Sequence, residues 1–471
     1  MRAVQTDVAV IGAGTAGLAA YRAAKAAGRN ALLIEGGPYG TTCARVGCMP
    51  SKLLIAPAEA AHAVERFTGF GLRLPAPVEV DGKAVMARVR AERDRFVGFV
   101  LQGVAGIPAH DKIDACARFV DDTTLVAGDT TISARAVVIA TGSSPSYPPG
   151  WNALGERLVT NETMFEWTDL PQGVAVFGPG VIGLELGQAL HRLGVRVKVF
   201  GRGGSVAHLV DPELVAEARR IFTAEFYLDV DAHAEVSREG DEVVVRYRAP
   251  DGEWNTERFD YLLAATGRRP NVHGLALETT SVARDARGVP LFDRDTLQCG
   301  RAPIFIAGDV NADVPLLHEA ADEGRIAGGN AARFPDVRAG QRRAGLAIVF
   351  TDPQIAMVGG GYRAARESPH GFVTGTVSFD DQGRARVMQR NRGRLHVYAE
   401  IGSGLLLGAE MIGPDAEHLA HLLAWARQLD LTIGEMLMLP FYHPVVEEGL
   451  RTALRDAYAK LDSAAKAKRA A

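Results

Sequence analysis

Four cysteines in 471 residues are too few for a disulfide scaffold, so a reduced compartment and one catalytic pair suit the chain better. No apolar run approaches the roughly 18 residues that a membrane span needs. The stretch from Met1 to Asp7 is too short for a signal peptide, and the expected location is the cytoplasm. A net charge of only −4 gives no field for nucleic acid or an anionic membrane, and neither is expected as a partner. With 23% charged and 47% hydrophobic residues the balance is that of an ordinary soluble protein, long enough for about three domains. The small, basic tail 464–471 is expected to fray.

What is present is a glycine pattern that occurs twice. Val8 to Ile11 is a short apolar run opening into Gly12-Ala13-Gly14-Thr15-Ala16-Gly17 and an alanine-rich helix; a second strand, Ala31 to Ile34, ends at Glu35. This is the order a dinucleotide site requires. Gly12 makes the tight turn, Gly14 admits the pyrophosphate, Gly17 lets helix and strand pack closely, and Glu35 can accept from a ribose hydroxyl. Another buried strand, Val137 to Ala140, ends at Thr141-Gly142, and the Pro-rich stretch Ser143 to Gly150 reads as a domain boundary. The pattern then repeats: Val174 to Phe177, Gly178-Pro179-Gly180-Val181-Ile182-Gly183, a helix, and the strand Val195 to Phe200. Ala265-Thr266-Gly267 echoes the earlier Ala-Thr-Gly. The repeat implies two dinucleotide-binding domains in one chain. A further strand, Ile304 to Ile306, leads to Gly308-Asp309, and Leu317-His318-Glu319-Ala320 opens a small-residue helix. After about Arg343 the pattern changes to alternating strands and two amphipathic helices, one of which Asp415 is expected to cap, burying Leu419, Leu422, Leu423, Ala426 and Leu429.

Between the first two strands and the first Ala-Thr-Gly lies Cys43-Ala-Arg-Val-Gly-Cys48-Met-Pro-Ser-Lys52. A regular helix advances about 7.5 Å over five residues, beyond the roughly 7 Å Cα limit of an unstrained disulfide. A bond between these sulfurs therefore requires a distorted first turn, with Gly47 and Pro50 as the tolerant points. Two buried, inert cysteines are the bland alternative. Near the other end, Tyr442-His443-Pro444-Val445-Val446-Glu447-Glu448 opens the last helix; Pro444 suits the first helical position, which sets His443 just outside the start and Glu448 within reach of its imidazole. Such a carboxylate fixes the tautomer and raises the basicity that work on a thiol requires.

The segment around Cys43 and Cys48, together with both fingerprints, resembles the pyridine nucleotide–disulfide oxidoreductases, the flavoenzyme family of dihydrolipoamide dehydrogenase and glutathione reductase. The similarity runs over nearly the whole chain. It implies an α/β fold: an FAD-binding domain in 1–150, an NAD(P)-binding domain in 151–275, a return to the FAD and central domain in 276–343, and an α+β dimerisation domain in 344–471. It implies FAD held by Gly12, Gly14, Gly17, Glu35, Lys52, Thr141, Gly142, Asp309, His318 and Ala320. NAD(H) or NADP(H) would be held by Gly178, Gly180, Gly183, Glu185, Arg202 and Gly267, and no metal is expected. Cys43 and Cys48 correspond to the redox disulfide, His443 and Glu448 to the acid/base pair that serves the other subunit of a homodimer, and Lys52 and Glu185 to an ion pair beside the flavin.

The implied reaction is oxidation of a dithiol, dihydrolipoamide first among them. A thiol deprotonated by His443 attacks Cys43, the mixed disulfide resolves, and Cys48 remains as a thiolate whose electrons pass through FAD to NAD(P)+. A lipoyl-bearing acyltransferase of a 2-oxoacid dehydrogenase complex is then a possible partner. The alternative is an NADPH-dependent reductase of glutathione or another small disulfide. The residues that favour the alternative are Gly201 and Arg202, where NAD-users of the family carry an acid, and Thr41 and Phe441, which depart from the pattern of the lipoamide enzymes. Cys116 and Cys299 are expected to be small core residues, and no cysteine follows Cys299 to form the C-terminal pair of mercuric reductases.

Overall fold

The computed structural model describes residues 2–249 and 251–470, and side chains up to Lys466. The chain divides into two compact units. The first comprises Met1–Pro50, Arg88–Ser146 and Gly267–Arg342; the second comprises Ser51–Ala87, Tyr147–Thr266 and Arg343–Ala471.

In the first unit a sheet is built on parallel strands in the order Lys112–Asp114, Ala31–Glu35, Arg2–Ile11, Thr130–Ile139. The last of these is long enough to serve two neighbours. Its end pairs in parallel with Ile304–Ile306, and its start pairs antiparallel with Thr124–Ala127. Val8, Val10, Leu33 and Val138 face one side of the sheet; Ala9, Leu32, Val137 and Ile139 face the other, so both faces are buried. That is why these strands read as continuous apolar runs rather than alternating ones. On the first side the helices Thr15–Ala26 and Leu317–Arg333 lie against each other. Their approach depends on glycine: a Cβ at Gly324 would lie 2.1 Å from the Ala16 carbonyl oxygen, and one at Gly328 2.2 Å from that of Ala20.

The second unit repeats the parallel arrangement, in the order Tyr227–Asp229, Arg196–Phe200, Gly173–Phe177, Tyr261–Ala264, Leu158–Val159. A three-stranded antiparallel meander, Ala234–Glu239, Glu242–Arg248 and Trp254–Phe259, shares an apolar cluster with it. The same unit holds a five-stranded antiparallel sheet, Leu346–Val349, Gln354–Gly359, Leu406–Gly413, Arg394–Glu400 and Phe372–Ser378, covered by the helices Ala416–Gln428 and Glu447–Ala470. Among the described residues no helix is long and apolar enough to cross a membrane.

Several local expectations change. Asp415 sits at the start of its helix but its carboxylate accepts no capping N–H; it accepts from Arg390 at 2.8 Å instead. Leu419, Leu423 and Ala426 are buried, whereas Leu422 and Leu429 stand exposed beside Trp425 on the other face. Cys299 is buried, but Cys116 is exposed. The tail read as fraying continues the helix Glu447–Ala470, with Ala471 outside the described residues.

Candidate active site

The two fingerprints have the same geometry. A Cβ at Gly12 would lie 2.3 Å from the carbonyl oxygen of Ala140, and one at Gly178 would lie 2.2 Å from that of Ala265. Both glycines are left-handed, with φ of 106° and 108°. A Cβ at Gly17 would stand 1.8 Å from the Gly12 oxygen, and one at Gly183 1.9 Å from the Gly178 oxygen. Around Gly14 and Gly180, by contrast, a Cβ would meet nothing within 4 Å. These two glycines are the N-caps of twelve-residue helices, and neither helix has a side-chain cap. Open space in front of uncapped backbone N–H groups is what a pyrophosphate requires. On this observation both sites fit a dinucleotide, and each Ala-Thr-Gly supplies the carbonyl on which the first glycine turns.

The fingerprints differ at the ribose end. Strand register pairs Ile11 with Ile34 and Phe177 with Phe200, which makes Gly201 the counterpart of Glu35. The Glu35 carboxylate accepts the Ala13 N–H at 2.6 Å and the Gly37 N–H at 2.8 Å. In the second copy Ala13 is replaced by Pro179, which has no N–H, and Gly201 has no carboxylate. Arg202 follows on the exposed turn.

Asp309 lies beyond the strand Ile304–Ile306 and accepts the Ser143 hydroxyl at 2.9 Å. Arg268 donates in turn to the Ser143 hydroxyl at 2.8 Å and to its carbonyl at 2.6 Å. The turn itself is held by Glu323, whose fully buried carboxylate accepts the Gly308 N–H and the Asn311 amide, both at 2.7 Å, and pairs with Arg342 at 2.9 Å. Thr141 donates to the Asn271 carbonyl at 2.7 Å, and Gly142 is left-handed (φ 68°), as is Gly267 (φ 121°). His318 and Ala320 lie in the first turn of Leu317–Arg333, the histidine half-exposed and the alanine buried.

The cysteine segment is a broken helix. Thr42–Val46 forms one short piece, Gly47 departs from helical angles (φ −121°, ψ −115°), and Cys48–Ala63 forms the next. Cys43 is half-buried and Cys48 exposed. Thr41 caps the first piece, its hydroxyl accepting the Ala44 N–H at 3.3 Å from a backbone with φ of +60°.

In the second unit Lys52 Nζ lies 2.7 Å from Glu185 Oε2, on the helix that follows the second fingerprint. Phe350 completes this pair: its N–H donates to Glu185 Oε1 at 2.9 Å, and its ring centroid is 4.5 Å from Lys52 Nζ. His443 Nδ1 is 2.9 Å from Glu448 Oε2, with the imidazole largely exposed. Burial opposes the charge on Glu448, but the hydrogen bond from His443, the Val445 N–H and nearby Arg451 outweigh it and hold the carboxyl below its usual range. The helix begins at Glu447, so Pro444 is not its first residue; Glu448 reaches back to the Val445 N–H at 3.4 Å. Phe350, Ser143, Glu323 and Pro179 were not singled out in the sequence, and only Pro179 carried a signal there, by interrupting the Gly-x-Gly.

The chain matches the pyridine nucleotide-disulphide oxidoreductases over residues 6–324 and the dimerisation domain of that family over residues 346–454. It belongs to this family, whose members use FAD and a nicotinamide nucleotide. A mercuric reductase of Streptomyces lividans is 32% identical over 468 residues, 95% of each chain. A dihydrolipoyl dehydrogenase of Bacillus subtilis is 30% identical over 463 residues, 95% of this chain and 97% of its own. The crystal structure of LpdA from Mycobacterium tuberculosis shares the fold with a TM-score of 0.81 at 24% identity, over 96% of this chain and 99% of that one.

Proposed function

We propose that this flavin-dependent oxidoreductase oxidises a small dithiol, dihydrolipoamide first, through Cys43 and Cys48 in the cytoplasm. The observation that carries the reading is the 2.9 Å contact of His443 Nδ1 with Glu448. A carboxylate at this distance favours the tautomer with its proton on Nδ1, with Nε2 as the base on an exposed ring. The partner subunit's His443 takes the proton of the first substrate thiol. The thiolate bonds to Cys43 as the Cys43–Cys48 bond breaks, and Cys48 leaves as a thiolate. The second substrate thiol then attacks the substrate sulfur of the mixed disulfide, closing the product disulfide and freeing Cys43, which leaves with the second proton as a thiol. Substrate has lost two electrons and two protons, and the cysteine pair has gained the two electrons. FAD, which Gly12, Gly14 and Gly17 would hold, would supply the two-electron relay between the cysteine pair and NAD(P)+. Lys52, held by Glu185, supplies a fixed positive charge on that route.

A second reading runs the same machinery in reverse, as an NADPH-dependent reductase of glutathione or another small disulfide. Pro179 and Gly201 favour it, because no acid stands where a 2′-phosphate would be repelled. Association with a lipoyl-bearing acyltransferase belongs to the first reading only. Steady-state turnover of the FAD-loaded protein separates the two, comparing dihydrolipoamide with NAD+ or NADP+ against glutathione disulfide with NADH or NADPH. Fast dihydrolipoamide oxidation supports the first; turnover confined to NADPH and another disulfide replaces it with the second.

A further inference from the structure

Helix Val181–Arg192 carries a polar stripe of three side chains. Glu185, Gln188 and Arg192 are spaced three and four apart, so they share one face, and all three are buried. A stripe of this kind inside a protein costs desolvation unless every group is paired. Each of the three is paired with the same short segment, Phe350 to Asp352. Glu185 Oε1 accepts the Phe350 N–H at 2.9 Å. Gln188 accepts the Asp352 N–H at 2.8 Å and donates to the Asp352 carbonyl at 2.9 Å. Arg192 donates to that carbonyl and to the Asp352 carboxylate, both at 3.0 Å, while Glu225 takes its remaining face at 2.6 Å.

The segment so clamped is what meets Lys52. The Glu185 oxygen not spent on Phe350 holds the ammonium at 2.7 Å, and the Phe350 ring covers it at 4.5 Å. An ammonium over a ring face is attracted by the ring quadrupole. One residue thus orients the carboxylate through its main chain and retains the cation through its ring.

We propose that Phe350, set in place by Gln188, is a positioning residue for Lys52, and that it fixes the positive charge the enzyme presents to bound flavin. The proposal rests on the reading that Lys52 acts beside the flavin. If the ring is removed while the backbone N–H is kept, Lys52 is free to move toward water, and reduced flavin loses part of its stabilisation. The test is the flavin midpoint potential of FAD-loaded wild type, Phe350→Leu, Phe350→Tyr, Lys52→Ala and the Lys52→Ala/Phe350→Leu pair. Phe350 is half-buried rather than core, and melting temperatures of the loaded variants check that they fold. Phe350→Leu is expected to shift the equilibrium about tenfold toward oxidised flavin, about 30 mV for a two-electron couple. Phe350→Tyr should restore it to within about twofold, and Phe350→Leu should add nothing once Lys52 is absent. Gln188→Leu should shift the potential in the same direction. A purely structural residue would lower melting temperature and leave the potential unmoved. That outcome, with Lys52→Ala still shifting it, overturns the inference alone; no shift in Lys52→Ala overturns the placement of Lys52 and the inference with it.

Discussion

A side chain at Gly201 has no room beside Pro179: its Cβ would lie 2.7 Å from Pro179 Cγ and 2.7 Å from the Val230 carbonyl oxygen. In the first fingerprint the corresponding pair, Ala13 and Glu35, is joined by a hydrogen bond of 2.6 Å. The second copy therefore lacks both a carboxylate at this position and the N–H that holds it in the first. Asp231 nearby is engaged by the Gly203 N–H at 2.7 Å.

This asymmetry sets the first prediction. 2′,5′-ADP should bind the second site about tenfold or more tightly than 5′-AMP, and Arg202→Ala should remove most of the difference, since a charge-assisted contact contributes about 1.5–3 kcal/mol. Competitive inhibition against NADH and NADPH measures both. Equal binding of the two ligands by wild type would show that Arg202 reads no 2′-phosphate. Gly201→Ala should also destabilise, by about 1–3 kcal/mol, because part of the clash is with backbone.

The second prediction concerns the base. Glu448→Gln keeps the shape but removes the charge facing the imidazole, which supports the tautomer with a proton on Nδ1. Dihydrolipoamide oxidation should fall roughly 10²-fold in kcat with little change in KM, within the range of general acid–base effects. His443→Gln should cost at least as much. Unchanged kcat in Glu448→Gln would mean that the 2.9 Å contact plays no part in turnover.

Both glycine turns were legible in the sequence because their geometry is local. Gly12, Gly14 and Gly17 act on one another and on one strand end, and the same residues recur at 178, 180 and 183. The His443–Glu448 contact was legible for the same reason, five residues apart on adjoining turns. The supports were not. Phe350 meets Glu185 across 165 residues, and Ser143 meets Asp309 across 166, distances over which periodicity carries no information. The exposed face of Ala416–Gln428 misled differently: Leu422, and Leu429 just beyond the helix, have the spacing of core residues, but in one subunit they stand exposed like Trp425. A chain that carries a dimerisation domain has apolar positions that a single copy does not bury.

A third prediction follows from a buried cluster in the second unit. Asp211 caps the helix Pro212–Thr223, accepting the Glu213 N–H, and its other oxygen takes Tyr398 OH at 2.9 Å and meets His396 Nδ1 at 2.8 Å. Burial raises the carboxyl's pKa, but the hydrogen bond and charge of His396, with Tyr398, win and hold it below the usual range. A depressed carboxylate stabilises the fold fully above its unfolded pKa of about 4, and that contribution is lost as pH falls through the folded value. Asp211→Asn should therefore cost about 1–3 kcal/mol at pH 7, as for loss of a buried charged hydrogen-bond acceptor. Urea melts should show the gap to wild type closing below about pH 4. A gap independent of pH would assign the loss to packing instead.

The last prediction tests strain beside the cysteines. Thr41 is β-branched and held at φ +60°, ψ 148°, a region that costs a side-chain-bearing residue of order 1–3 kcal/mol. Its compensation is modest: one hydroxyl contact to the Ala44 N–H at 3.3 Å. Replacing it with alanine keeps the strain and removes the cap, so Thr41→Ala should destabilise by about 1 kcal/mol. Glycine removes both, and its greater freedom in the unfolded chain subtracts roughly 0.4–1 kcal/mol. At the middle of these ranges the balance favours Thr41→Gly over Thr41→Ala by about 1 kcal/mol. Melting temperatures of the two variants with FAD bound give the order directly. Alanine proving the more stable would mean that the backbone at 41 relaxes at little cost, and that the segment leading into Cys43 stores no strain.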